Sequence, residues 1–314
     1  MINPPQYHSV SHPWPHNVSM ACERGGRVLA SLPIYYSSAM DAPADDFSPS
    51  AAKPALVVES WRRLGFPLRF SVPEPVSRAQ LFLAHAQGFV VGVLEGRLRN
   101  GFGNKRLEIA RSLPYTSGAM LGAAREAMSN GAVAVAPCSG FHHAGWKVVG
   151  GFCTFNGLMV TALVLKRAGA IKRAGILDLD QHWGDGTQDI IQRTGSEDWV
   201  VHYSPTQQRW GCENADEFVA ALPEILQRFE GCDLVLFQAG ADPHVDDPLG
   251  GWLTTEQLRM RDGTVFRTLQ SKGIPVAWNL AGGYQRDASG GIRPVLDIHD
   301  NTLRECAAVY LEGR

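Results

Sequence analysis

Apolar and polar positions along the chain fall into two alternating kinds of block. Short apolar runs of strand length occur at Arg27–Tyr36, Val133–Ala136, Trp199–Tyr203, Asp233–Phe237 and Pro275–Leu280, with another opening at Gly175. Between them lie segments of helical character at Ala55–Leu64, Arg78–Leu98, Gly118–Ser129, Leu158–Ala168, Gln188–Gln192 and Glu217–Phe229. Two more run from Thr255 to Gln270, capped by Thr254 or Thr255, and from Gly291 to Tyr310, with a break expected near Pro294. Strands alternating with helices of about 10–15 residues are the signature of a parallel sheet covered on both faces. The fold class read from this pattern is α/β, with a mostly parallel sheet flanked by helices on both faces. No repeat, low-complexity tract or linker divides the chain, so the reading is an irregular arm over 1–26 and one domain over 27–314.

Composition narrows the classes of function. The 314 residues are 45% hydrophobic and 19% charged, with a formal net charge of −2, which suits a globular protein with a sizeable core. No Lys or Arg run suggests a nucleic-acid groove, and no stretch approaches the ~18 apolar residues of a membrane span. The opening Met1-Ile2-Asn3-Pro4-Pro5 lacks the basic and apolar regions of a secretory signal. Six scattered cysteines with no paired spacing argue against a disulfide framework and fit a reducing cytoplasm. In the arm, His8, His12 and His16 stand four apart, but Pro13 and Pro15 break any helix that would align them, which favours a loose or partner-packed segment.

The chemistry concentrates in Gly175–Thr187, where an apolar run ends in Asp178, Asp180, His182 and Asp185. If the chain stays extended, Asp178, Asp180 and His182 face the same way, and Gly184 and Gly186 then permit tight turns. Two carboxylates and an imidazole at a strand end suit a divalent metal with oxygen and nitrogen ligands. Taken alone, the stretch is only suggestive, because acidic residues after a buried strand also cap the next helix or close a turn.

Three other strand ends carry unusual residues: His142-His143, Asp242, and Gly283-Tyr284. In a parallel sheet such ends share one rim. A metal held by Asp180, His182 and Asp242 would have three protein ligands and an open position, the catalytic pattern for zinc. Asp178 and Asp185 are available to orient the two histidines, and a tyrosine beside glycines can donate to a developing oxyanion. His244, Asp246 and Asp247 read as loop residues, and Cys153 as a packed small residue without a basic partner.

Five separated pieces resemble the zinc-dependent histone deacetylase superfamily, which includes acetylpolyamine amidohydrolases. They are His142-His143-Ala144, Gly151–Asn156, Asp178–Thr187, Gly240–Gly251 and Gly282-Gly283-Tyr284, and they come in that family's order. The resemblance implies an arginase/deacetylase-like fold and a catalytic domain over 27–314. It implies one Zn2+ on Asp180, His182 and Asp242, with His143 paired to Asp185 as general base and then acid. His142, paired to Asp178, is the neighbouring electrostatic partner, and Tyr284 the oxyanion donor. Gly151 offers its carbonyl to the substrate amide and Phe152 lines an acyl-lysine tunnel, with Trp210 as the opposite wall. The implied reaction converts an acylated amine, of acetyl-lysine or acetylpolyamine type, to free amine and carboxylate.

The family's monovalent-cation site, a structural K+ held by backbone carbonyls of Asp178–His182, lacks its expected serine: His202 replaces it, or Ser204 is shifted. The rim segments 37–54 and 99–106 match neither the histone-type nor the polyamine-type enzymes, so the amine stays open. So does homo-oligomerisation. A dinuclear manganese ureohydrolase shares the fold, but Asp185 follows His182 at three rather than two positions, which disfavours a second metal. A non-catalytic acyl-lysine binder would be expected to lose Tyr284 or one histidine, and all are present.

Overall fold

The computed structural model describes residues 27–43, 47–205 and 210–313; the arm over 1–26, with His8, His12 and His16, lies outside them. Seven strands form one sheet: β1 (Leu32–Tyr35), β2 (Leu68–Ser71), β3 (Val133–Ala136), β4 (Ala174–Asp178), β5 (Val200–Tyr203), β6 (Leu234–Gly240) and β7 (Val276–Ala281). Their order is β2-β1-β3-β7-β6-β4-β5, and every neighbouring pair is parallel. All strand C-termini therefore leave the sheet at the same edge.

Nine α-helices are described: α1 (Lys53–Arg62), α2 (Arg78–Ala84), α3 (Gln87–Leu94), α4 (Leu107–Asn130), α5 (Gly157–Arg167), α6 (Asp185–Thr194), α7 (Ala215–Ile225), α8 (Thr255–Ser271) and α9 (Arg293–Tyr310). Residues of β4, β6 and β7 are buried throughout, as strands covered on both faces must be. Alternation along β6 divides the core: Val235, Phe237 and Ala239 pack with Trp61, Phe218, Phe266 and Val295 of α1, α7, α8 and α9. Leu234 and Leu236 face the other way, toward Leu81, Val90, Met120, Leu158 and Ile190 of α2 to α6.

Several boundaries differ from those expected. The 78–98 segment is two helices, because His85 is extended (φ −140°, ψ 149°) and its side chain is drawn into the interior. The helix expected from Gly118 begins at Leu107 and carries Pro114 inside it, with the Ser112 and Thr116 hydroxyls bonding carbonyls one turn back. Edge strand β2 was not expected: LRFS is short and only partly buried, and it pairs along one side with β1 alone. Pro294 sits in the first turn of α9, where its missing N–H costs nothing, and does not break it.

Candidate active site

Strand β4 ends at Asp178, and residues 180–182 bend rather than continuing extended. The three residues expected to face one way are thus divided. Asp178 points into the protein: its Oδ2 lies 2.7 Å from His142 Nδ1, and its Oδ1 accepts from Gln238 Nε2 at 2.9 Å. Asp180 and His182 turn instead toward Asp242, which follows β6. His182 Nδ1 stands 3.2 Å from Asp180 Oδ1 and 3.1 Å from Asp242 Oδ2. One ligand atom from each of the three falls within 4.8 Å of the others.

Gly184 and Gly186 serve close approach rather than the expected turns. A Cβ on Gly184 would lie 2.6 Å from Asp178 Oδ2, and one on Gly186 2.5 Å from the His143 backbone carbon. The second glycine lets the start of α6 press against the loop after β3, which carries His142 and His143. Thr187 N accordingly donates to His142 O at 2.9 Å. Asp185, at the first position of α6, reaches His143 Nδ1 at 2.6 Å. The His142 and His143 rings are 4.1 Å apart between centroids.

The electrostatics separate the two histidines. Burial opposes charge on His142, but Asp178 and Asp180 outweigh it and raise its pKa to about 9. His143 shifts down, through burial and the neighbouring His142, with Asp185 working against both. Of the pair, His143 is the one set up to be neutral and able to accept a proton. Asp242 is pushed up by burial and by the adjacent Asp180 carboxylate. Two buried carboxylates facing one imidazole nitrogen conflict unless a cation lies among them, so this donor set fits a divalent metal.

Tyr284 is 7% exposed, and burial with the nearby Asp242 and Asp180 carboxylates holds its phenol protonated. Its backbone N–H donates to Asp247 Oδ2 at 2.8 Å, giving that loop carboxylate a positioning task. Gly282 before it has φ +49° and stands against Asp242. Across a cavity of about 130 Å³, Phe152 adopts φ 63°, rare for a bulky residue. Such strain costs on the order of 1–2 kcal/mol and points to a functional constraint. Its ring meets Tyr284 at 5.6 Å and Phe102 at 5.8 Å. Gly151, also at positive φ, sits so near His143 that a Cβ there would lie 2.2 Å from His143 Cδ2.

Trp210 does not join this group. Its ring packs on Phe218 at 5.3 Å and faces a separate groove with Ala221 and Arg228. Phe47 instead stacks on the outer side of the group, on Tyr284 at 5.5 Å with 16° between planes. It belongs to the 37–54 loop, which the sequence reading left without an assignment.

Sequence reasoning also passed over four supporting residues. Arg261 is fully buried, and its Nη1 donates at 2.9 Å to both Leu179 O and Gly240 O, tying together the two segments that carry Asp180 and Asp242. Gln238 joins the Asp178 carboxylate to Phe141 N. Buried Lys53 donates to Gly282 O; burial lowers its pKa to about 8 against the pull of Asp242 and Asp180. His85 is the fourth. The available signals were polar residues inside apolar patterns: Arg261 between Leu258 and Val265, and Gln238 within LVLFQAG.

Comparison with known proteins bears on the family and the fold. A histone deacetylase domain matches residues 55–210. An uncharacterised protein of Picosynechococcus is 31% identical over 238 residues, covering 68% of this chain and 78% of that one. Acetylpolyamine amidohydrolase 1 of Pseudomonas aeruginosa is 29% identical over 176 residues, which is 48% of this chain and 50% of that one. The crystal structure of the HDA15 HD domain superposes with a TM-score of 0.71 at 19% identity, over 90% of each chain. The chain belongs to the histone deacetylase superfamily. No described helix is long and apolar enough to cross a membrane.

Proposed function

We propose that this protein hydrolyses an acylated amine to a carboxylate and a free amine, using one zinc ion held by Asp180, His182 and Asp242. The observation that carries this reading is the convergence on one cavity of a metal-type triad, His142 and His143 and Tyr284, each histidine being backed by its own carboxylate. A zinc ion bound there would supply Lewis acidity, polarising the amide carbonyl and lowering the pKa of a water.

The chain's own groups do the rest. His143 takes the proton from the attacking water at Nε2 while Asp185 steadies Nδ1–H. The same nitrogen returns that proton to the departing amine as the C–N bond breaks. His142, held by Asp178, supplies positive charge beside the reacting carbon as the carbonyl oxygen becomes negative. Tyr284 donates its hydroxyl hydrogen to that oxygen. Gly151 O accepts the amide N–H, and Phe152 and Phe47 line the approach, which favours a slender amine arm. One potential metal triad among the described residues, together with an intact Tyr284 and histidine pair, supports this over the dinuclear ureohydrolase and binder readings. A structural K+ stays open: His202, which pairs with Ile176 and lies beside Gly184, replaces the expected serine, or that serine is shifted to Ser204. Unpaired cysteines among the described residues accord with a cytoplasmic setting.

The amine is a protein lysine, a polyamine or another small amine. Acetyl-lysine peptides, acetylputrescine, acetylspermidine and longer acyl homologues, assayed side by side, test the reading. Turnover of at least one is expected; turnover of none by zinc-loaded protein overturns it.

A further inference from the structure

His85 lies away from the cavity, at the break between α2 and α3, and is 0% exposed. Its Nδ1 is 2.9 Å from Gly145 O, and its Nε2 is 2.9 Å from Asn156 N. A backbone carbonyl only accepts and a backbone N–H only donates, so these two partners fix the ring as neutral, with its proton on Nδ1. The two partners belong to different loops. Gly145 follows His142-His143-Ala144, and Asn156 ends the segment that carries Gly151 and Phe152.

Both loops are tied further around the same ring. The backbone N–H of Ala86, the next residue, donates to Trp146 O at 2.8 Å. Asn156 Nδ2 donates to Ala144 O at 3.2 Å and to Thr187 Oγ1 at 2.9 Å, linking both loops to α6. Phe89 and Phe155 pack on the imidazole at 5.9 and 5.4 Å and keep it dry. The tolerance this network must hold is narrow, because Gly151 touches the His143 ring.

We infer that His85 is a positioning residue: as a neutral Nδ1–H tautomer it clamps the loop bearing His143 to the loop bearing Gly151 and Phe152, setting the proton-transfer nitrogen against the substrate carbonyl site. The clamp rests on the hydrolase reading above for its catalytic consequence, but not for its structural content. Misplacement of a reacting group by about 1 Å can cost roughly 100-fold in rate. His85→Phe keeps the ring volume and removes both hydrogen bonds. His85→Gln keeps one donor and one acceptor on a single amide.

Two measurements on full-length, zinc-loaded protein test this. In long-range 1H–15N spectra of 15N-histidine-labelled protein at pH 7, with His85→Gln identifying the signal, His85 is expected as the neutral Nδ1–H tautomer. An Nε2–H tautomer or a protonated ring overturns the clamp, whatever the kinetics. In turnover assays His85→Phe is expected to lose roughly 10–100-fold in kcat with zinc content retained and KM changed far less, and His85→Gln to recover most of that loss. Full kcat in His85→Phe, or equal damage in both variants, overturns the positioning role. If the unmodified protein hydrolyses no acylated amine, the hydrolase reading falls, while the tautomer still decides the clamp.

Discussion

A methyl group on Gly282 would lie 2.1 Å from the carboxyl carbon of Asp242. The loop that delivers Tyr284 therefore presses directly on the third residue of the metal-type triad, and only the lack of a side chain permits it. Gly282 also has φ +49° and offers its carbonyl to Lys53. Gly282→Ala must displace Asp242, Tyr284 or both. Zinc affinity is expected to fall by roughly 10–100-fold, the range seen when groups supporting a ligand are lost. Competition with a chromophoric chelator measures this. Unchanged affinity and turnover would mean that the loop relaxes without disturbing Asp242.

The two adjacent histidines are expected to differ in effect. His143 is partly exposed, lines the cavity, is shifted toward neutrality and is oriented by Asp185. His142 is buried and held cationic by Asp178 and Asp180. His143→Ala should lose about 10²–10⁴-fold in turnover with zinc still bound, and His142→Ala less. The reverse order would exchange their roles.

Tyr284→Phe keeps the ring stacked on Phe47 and tilted against Phe152 and removes only the donor. Turnover is expected to fall by about 10²–10³-fold with zinc content unchanged. Near-normal turnover would mean that another group stabilises the oxyanion.

Much of this site was legible in the sequence because its chemistry is local to strand ends. Asp178 ends its strand, Asp180, His182, Asp242 and Tyr284 follow strand ends by two to four residues, and His142, His143 and Asp185 lie six or seven residues beyond theirs; the apolar character of those strands is plain, and the sheet brings the residues together. Their supports were less legible because those act across the fold. Arg261 and Lys53 are charges that only a view of two converging loops explains. His85 splits what reads as one helix, since helical periodicity carries no trace of a side chain engaged by distant backbone. Trp210 packs on Phe218 rather than at the cavity, whereas Phe47, far away in sequence, stacks on the cavity's Tyr284, a contact no local pattern announces.

Acid stability offers a separate check. Burial lowers the pKa of His85 to about 4, against the smaller opposing effects of its Gly145 hydrogen bond and Asp189. Burial holds His299 well below the usual histidine range, with Lys53 and Arg261 adding to the effect. Each is depressed in the folded state, so each contributes stability that is present above the unfolded pKa of about 6.5 and lost as pH falls toward the folded value. For His85 the loss is on the order of 3 kcal/mol between about pH 6.5 and 4. Because Asp242 and His142 are shifted upward and act in the opposite sense, the test is a difference: between about pH 6.5 and 4 the urea midpoint of the unmodified protein should lose more, relative to that of His85→Gln, as pH falls. The same pH dependence in both proteins would show that His85 is not buried as a neutral group.

Metal stoichiometry coupled to turnover tests the central claim most directly. Chelated protein should be inactive toward every acylated amine that the untreated protein hydrolyses. Titration with Zn2+ should restore activity linearly up to one equivalent per chain, and Asp180→Ala should neither bind nor recover. Full turnover in the chelated protein, or an endpoint at two metals per chain, would contradict a single-zinc amide hydrolase built on Asp180, His182 and Asp242.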